Sequence, residues 1–308
     1  MEASITLKNV GKKFDEKYVI SDLSIGIEKN STFTIIGQDG AGKTTLLKLL
    51  STAIEKDRGH IYVQGTEIGE DIKKVRRNIG YLPDHNIHNN NLSARENIKY
   101  YHSFGSLSSY EYDKNLEYFI ELFEFSDSID KKPANYPKGF KRRLDLIQVL
   151  MEEPEILIMD EPLKELDYFG REILIDYLME IKDSTTIIIA SDDFTEIETI
   201  TDRWVVLHNG SIRYDGNLET IVEHTTLDFT GYIEIKQKYR QDVLRELKER
   251  EEIKALEERG NTIELRTDNA NKFFTVLNRI GPDKFYRISG NSVNMNYFLR
   301  QLTSNEGY

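Results

Sequence analysis

Residues 31–44 read STFTIIGQDGAGKT. STFTIIG is rich in β-branched and aromatic residues and ends in glycine, as a buried strand does, and TTLLKLLSTAI, beginning at Thr44, has the pattern of a helix. Strand, glycine loop and helix in that order is the context a phosphate-binding loop requires. GQDGAGKT, residues 37–44, fits G-x-x-x-x-G-K-[ST]. Gly37, Gly40 and Gly42 let the backbone N–H groups of the loop, those of Gln38, Asp39 and Ala41 among them, turn inward around phosphate oxygens. Lys43 is expected to reach the outer phosphates. The Thr44 hydroxyl is expected on a magnesium ion, with Thr45 behind it, and the helix adds its positive end.

A second segment completes the pattern. EILIMDE, residues 155–161, is a continuous apolar strand of the parallel-sheet type that ends in two acids. Asp160 is placed to hold the metal and Glu161 to act as the general base on an attacking water. Further strands are read at ITLKNV (5–10), HIYVQG (60–65), IGYLP (79–83) and TTIIIAS (185–191). DRWVVLHNGSIRYDG, residues 202–216, reads as a hairpin turning at Asn209-Gly210, with Trp204 in the core. Residues 92–128 carry helical patterning and many aromatics. Beyond about residue 225 the order is strand, charged helix, two strands, helix, strand and a closing helix over 294–304. That β-α-β-β-α-β order belongs to ferredoxin-like domains.

Composition narrows the class. The chain has 308 residues, 39% hydrophobic and 31% charged, enough to bury a sizeable core. It has no cysteine, which removes disulfide and thiol chemistry and suits a reducing compartment. A net charge of −12 argues against nucleic acid as a partner. No apolar run approaches the ~20 residues of a membrane helix, and MEASITLKNVGKKF lacks the apolar stretch of a signal peptide.

GQDGAGKTTLLKLL, ILIMDEPLKELD and DRWVVLHNG follow one another as in the nucleotide-binding subunits of ABC transporters, which residues 1–220 resemble. The resemblance implies an α/β P-loop NTPase of the ABC type, with a RecA-like core, a β subdomain and a helical subdomain over about 88–142. A composition shift near residue 225 sets the ATP-binding domain at 1–224 and a small C-terminal α+β domain, ferredoxin-like by its element order, at 225–308. The resemblance also implies ATP and Mg²⁺ as cofactors, head-to-tail dimers, and an ATP held between one subunit's phosphate loop and the other's signature motif, usually LSGGQ. Carried onto this chain, Phe14 stands where an aromatic stacks on adenine, with a core phenylalanine as the alternative reading. Gly37, Gly40, Gly42, Lys43, Thr44 and Thr45 match the phosphate loop. Asp160 matches the metal-holding acid, Glu161 the catalytic base and Asp167 the loop that signals between sites.

Three positions depart from the family pattern. Asp84 stands where a glutamine ligates Mg²⁺ and couples to the membrane subunit; Asp is a legitimate hard-metal ligand, and equally an ordinary loop residue. YPKGF, residues 136–140, stands in place of LSGGQ. Pro137 offers neither hydroxyl nor N–H, Lys138 replaces a glycine with a cation, and Gly139 stays small. The run Lys141-Arg142-Arg143 that follows reads as a solvated helix face. Asp192 stands where a histidine contacts the γ-phosphate. Two like charges ~4 Å apart cost about 4 kcal/mol at an effective dielectric near 20, so Asp192 is expected to turn away or to act through metal or water. His85 and His88 read as solvated loop histidines rather than metal ligands.

The expectation is an ATPase subunit of an ABC exporter, peripheral on the cytoplasmic face of the membrane, serving an integral membrane subunit. It would form a homo- or heterodimer with a second ABC ATPase and turn over slowly or in dependence on that partner. An ATP-binding regulatory subunit with little hydrolysis is the alternative. A soluble non-transport ABC protein is a third reading, disfavoured by the single phosphate loop and by the short span from Gly37 to Asp160.

Overall fold

The structure is a computed structural model that describes residues 3–192, 197–217, 229–260, 262–268 and 270–291. The chain divides into two compact units, Met1–Gly216 and Asn217–Tyr308. The expected boundary at 224/225 and the expected closing helix at 294–304 lie outside the described residues.

The first unit contains two sheets. Strands β1 (Ala3–Phe14) and β2 (Lys17–Glu28) form a long antiparallel pair, extended by β4 (Arg58–Val63) and β5 (Thr66–Glu67) in the order β2-β1-β4-β5. The second sheet comprises β3 (Thr32–Ile36), β6 (Ile79–Leu82), β7 (Ile156–Asp160), β8 (Thr186–Ser191), β9 (Arg203–His208) and β10 (Ser211–Gly216). Its order is β10-β9-β3-β8-β7-β6, parallel except for the β9–β10 hairpin. Every residue of β3, β7 and β8 is buried, which is why these segments read as apolar runs without alternation. The hairpin turns at Asn209 (φ 49°) and Gly210 (φ 73°), the left-handed pair that a two-residue primed turn needs. Trp204 is fully buried, as read from the sequence.

The register of the parallel strands positions the site. Ile36 pairs with Ser191, Ala190 with Asp160, and Met159 with Leu82. The carboxyl ends of β3, β8, β7 and β6 therefore lie side by side, where ligands bind in open α/β sheets.

Helix α1 (Lys43–Leu50) follows β3 and packs Leu46, Leu47, Leu49 and Leu50 into the main core. It begins one residue before the Thr44 expected. Helices α2 (Ile72–Arg77), α3 (Ala94–His102), α4 (Ser109–Leu122), α5 (Lys138–Leu150) and α6 (Tyr168–Ile181) complete the unit. Ser93 with Glu96 and Ser108 with Glu111 are full capping boxes, so α3 and α4 start where their own sequence satisfies the first free N–H groups.

The second unit runs β11 (Phe229–Ile235), α7 (Arg240–Lys248), β12 (Ile253–Arg259), β13 (Thr262–Thr267), α8 (Ala270–Ile280) and β14 (Phe285–Asn291). Its antiparallel order β12-β13-β11-β14 interleaves the two halves as a ferredoxin-like domain does. Ile233, Val243, Leu247, Ile263, Phe273 and Leu277 form its separate core. Among the described residues no helix is long and apolar enough to cross a membrane.

Candidate functional site

The chain leaving β3 wraps into a glycine loop before α1. Gly40 (φ 79°) and Gly42 (φ 105°) both take left-handed backbone, and a Cβ on Gly42 would stand 2.9 Å from the Val19 carbonyl oxygen. Gly37 has no room either, with the Leu207 carbonyl oxygen 2.4 Å from where a Cβ would sit. The β9–β10 turn braces the loop, since the Gly210 N–H donates to the Ala41 carbonyl at 2.9 Å. Lys43 is buried and its ammonium donates to the Gly37 carbonyl at 2.6 Å.

Around this loop lies a cavity of about 230 Å³, walled by residues 38–45, Val19, Asp84, Asp160, Glu161, Lys164 and Asp192. Segments far apart in sequence thus meet because their strands end together. Asp160 is only 1% exposed, and its Oδ2 has no hydrogen-bond partner among the described residues. Burial pushes its carboxyl up, the Thr44 hydroxyl opposes that by donating to it, and the nearby Asp84 charge adds to the rise. Asp84 is held below the usual carboxylate range by a 3.1 Å hydrogen bond with the His85 ring.

Glu161 sits on left-handed backbone (φ 46°), with its N–H donated to Ala190 at 2.9 Å. Its carboxyl is pushed up to about 7, first by burial and then by the Asp192 charge, which also meets it through a hydrogen bond. Of the two expectations for Asp192, turning away or acting through metal or water, the first does not hold: it lines the cavity beside Glu161. The cost of two like charges there is lowered because Glu161 can keep its proton near neutrality.

The residues fit a magnesium nucleotide. An inward-facing glycine loop and a buried lysine suit phosphates. The orphaned Asp160 oxygen, the Thr44 hydroxyl and Asp84 are hard oxygen donors. Among the described residues no three His, Cys, Asp or Glu side chains form a metal cage. Mg²⁺ suits such a place, since it is commonly held by one or two carboxylates together with substrate phosphates and water.

Phe14 is outside this cavity and outside the core: it is 48% exposed at the end of β1, with the Lys12 ammonium 5.4 Å from its ring centre. Val19, on β2, does line the cavity, and the sequence reading missed that strand.

The YPKGF segment opens α5. Pro137 is the N-cap residue and supplies no side-chain cap. The Tyr136 hydroxyl donates to the Lys131 carbonyl at 2.9 Å, and its ring packs edge-on to Phe125 with centres 5.6 Å apart. Lys138 points outward, 3.7 Å from Glu165. Gly139 abuts the N-cap of α6, where a Cβ would lie 3.2 Å from the Asp167 nitrogen.

The basic run after it is not a solvated face. Arg142 and Arg143 are each 2% exposed. Arg142 donates to the carbonyls of Pro83 (2.8 Å), Asp160 (3.0 Å) and Glu161 (3.1 Å). Arg143 donates to the Phe123 carbonyl at 3.1 Å and to the Asp167 carboxylate at 2.5 Å. Although burial opposes it, Arg143 together with the Gly170 N–H holds the Asp167 carboxyl below its usual range. His88 is likewise not solvated: its ring is buried against Asp145, with Nδ1 and Oδ1 2.8 Å apart. His85 is exposed, as expected. Charged residues survive in these places because carbonyls and carboxylates satisfy most of their polar atoms, although Arg142 Nε, Arg143 Nε and Asp145 Oδ2 have no hydrogen-bond partner among the described residues. Their signal in the sequence, a helix whose polar residues fall on every face (KRRLDLIQ), is legible only once the partners are known.

Residues 20–164 match the family described as ABC transporter. The chain is similar to the ABC transporter ATP-binding protein NatA of Bacillus subtilis, 27% identical over 74% of this chain and 96% of that protein. It is 28% identical to the daunorubicin resistance ATP-binding protein DrrA3 of Streptomyces coeruleorubidus, over 73% of this chain and 71% of that one. It is 32% identical to the spermidine/putrescine import ATP-binding protein PotA of Protochlamydia amoebophila, over 75% of this chain and 62% of that one. A solved ATP-binding subunit of an ABC transporter superposes with a TM-score of 0.68 at 25% identity, covering 71% of this chain and 92% of the other.

Proposed function

From the premise that this chain carries the ATP-binding cassette of ABC transporters, and is an ATPase using ATP with Mg²⁺, we propose a slow, partner-dependent subunit of an exporter. The observation that carries the slow turnover is the opening of α5, where a proline N-cap without N–H replaces donors that a neighbouring cassette's ATP would use.

The roles follow from the cavity. The loop N–H groups and Lys43 bind and orient the phosphates. Thr44, Asp84 and Asp160 would hold Mg²⁺, which when bound neutralises charge on the transferring phosphoryl group. Glu161 accepts the proton of the attacking water as that water bonds to the γ-phosphorus and the bridging bond breaks. That step needs the carboxylate, and Asp192 beside it favours the protonated form. Asp192 also cannot supply the positive hydrogen bond of a histidine to the γ-phosphate. Both effects lower the rate. Two copies, or this chain and a second ATPase, would close head to tail on ATP, with Lys138 and Gly139 facing the partner's nucleotide.

Export as the direction is favoured by the similarity to a resistance ATPase over most of both chains. Import is the second reading, favoured by the similarity to a polyamine-import ATPase. The experiment is co-purification with the integral membrane subunit, reconstitution in vesicles, and measurement of ATPase rate with the subunit alone and in the complex. Export requires cargo to accumulate in vesicles whose ATPase side faces outward. A subunit as fast alone as in its complex would reject partner dependence.

A further inference from the structure

Three acids of the cavity are backed by one side chain. Arg142 lies one turn into α5, 2% exposed, and its guanidinium holds the carbonyl of Pro83, which precedes Asp84, and those of Asp160 and Glu161. One turn further, the Asp145 carboxylate accepts the N–H groups of Ile87 at 3.2 Å and His88 at 3.0 Å. The Asp84 loop is therefore tied to α5 at both ends, and the end of β7 is tied to the same helix. Glu161 needs such a tie, because left-handed backbone at a non-glycine residue persists only where its surroundings hold it.

We propose that Arg142 is a positioning residue that keeps Glu161 and Asp84 in register with the opening of α5, so that the cavity's acids and the Lys138–Gly139 turn move as one body. This rests on the roles of Glu161 and Asp84 given above. It goes beyond them in making a buried arginine, which touches no nucleotide, the link between this chain's own ATP site and the surface it offers a neighbour. The planar guanidinium is what permits the link: it bonds three carbonyls from one rigid fork, whereas an ammonium on a flexible stem cannot match that geometry.

The test compares wild type with Arg142→Lys and Arg142→Met in the full chain. In nucleotide-free protein, amide exchange over 84–88 and 161–163 should quicken about tenfold or more in both variants, while α1 exchanges as before. Calorimetry should give MgATP affinity within about threefold of wild type. The turnover number should fall about tenfold or more with KM little changed, and Lys should lose less than Met. Wild-type exchange and turnover in a folded Arg142→Met variant would overturn the proposal. So would a fall in MgATP affinity as large as the fall in turnover, because Arg142 would then shape binding rather than position the base. If neither variant folds, Arg142 belongs to the folding core and the proposal also fails. Failure of wild type to hydrolyse ATP in any complex would strike the proposed function instead and leave the exchange comparison standing.

Discussion

Helices α1 and α5 both begin beside glycines, both present a positive end, and they prepare differently for an anion. The start of α1 follows a loop whose glycines take left-handed backbone, with a buried lysine at its first position. The start of α5 follows a proline in extended backbone, with an exposed lysine already paired to Glu165. In the reading proposed here, the half of an ATP site that this chain keeps for itself has its phosphate loop, lysine and acids, with Asp192 as its departure, and the half it would lend to another opens on a proline without an N–H. Hydrolysis in the assembled transporter is therefore expected to depend on who supplies the second half.

That contrast can be broken most sharply at α1. Lys43→Ala should abolish MgATP binding in calorimetry, because a charge-assisted contact to two phosphates disappears; unchanged affinity would remove the cavity from the argument. Glu161→Gln comes next. It should keep ATP bound, stabilise any ATP-dependent dimer seen by light scattering, and slow hydrolysis by roughly 10²-fold or more, the scale of a lost general base. A wild-type rate would show that Glu161 is not the base.

The depleted half, taken together with Asp192 of the chain's own cavity, offers a smaller effect of opposite sign. Pro137→Ser, Lys138→Gly and Asp192→His together should raise the ATPase rate by about tenfold, ~1.4 kcal/mol off the barrier. Lys138→Gly alone is the control that matters. A steep loss of ATPase in the assembled complex would mean that the ammonium does the work of the missing donors, and the two helix openings would then be equivalent.

The smallest expected effect is on pH. Burial and Asp192 push the Glu161 carboxyl up to about 7, so the base should ionise, and turnover rise, as pH increases through neutrality. Removing the like charge with Asp192→Asn should move that rising limb toward acid. The sign for stability is opposite. A carboxyl whose folded pKa lies above its unfolded value stabilises the nucleotide-free protein while protonated, and that contribution is lost as pH rises from about 4.5 to 7. Melting curves of Glu161→Gln should accordingly vary less with pH across this window than those of wild type.

Much of this architecture was legible in order along the chain. The fully buried strands β3, β7 and β8 announced themselves as apolar runs, the Asn209-Gly210 turn as a hairpin, and the second unit as β-α-β-β-α-β before its interleaved sheet was seen. Strand β2 was not legible. KYVISDLSIGIE pairs with β1 through several register shifts, which spoil the clean alternation that marks a half-buried strand. Phe14 is 48% exposed at the end of β1, so of its two readings the core one fails and the adenine-stacking one stays a proposal.

The sequence by itself determined the local devices: which segment turns around phosphates, which strand ends in acids, where helices are capped, and that a proline opens α5. These depend on backbone chemistry within a few residues. Only the tertiary structure decided what the charged residues of α5 do. Arg142 lies 59 residues from Pro83 and 18 from Asp160 along the chain, and no local pattern says that a guanidinium will find three carbonyls. A charge in a helix is stable in solvent, or in the interior where most of its donors find acceptors, as the two terminal nitrogens of Arg142 do. Which of the two holds was settled when the pairing of β6 with β7 brought those carbonyls together at the carboxyl ends of the two strands.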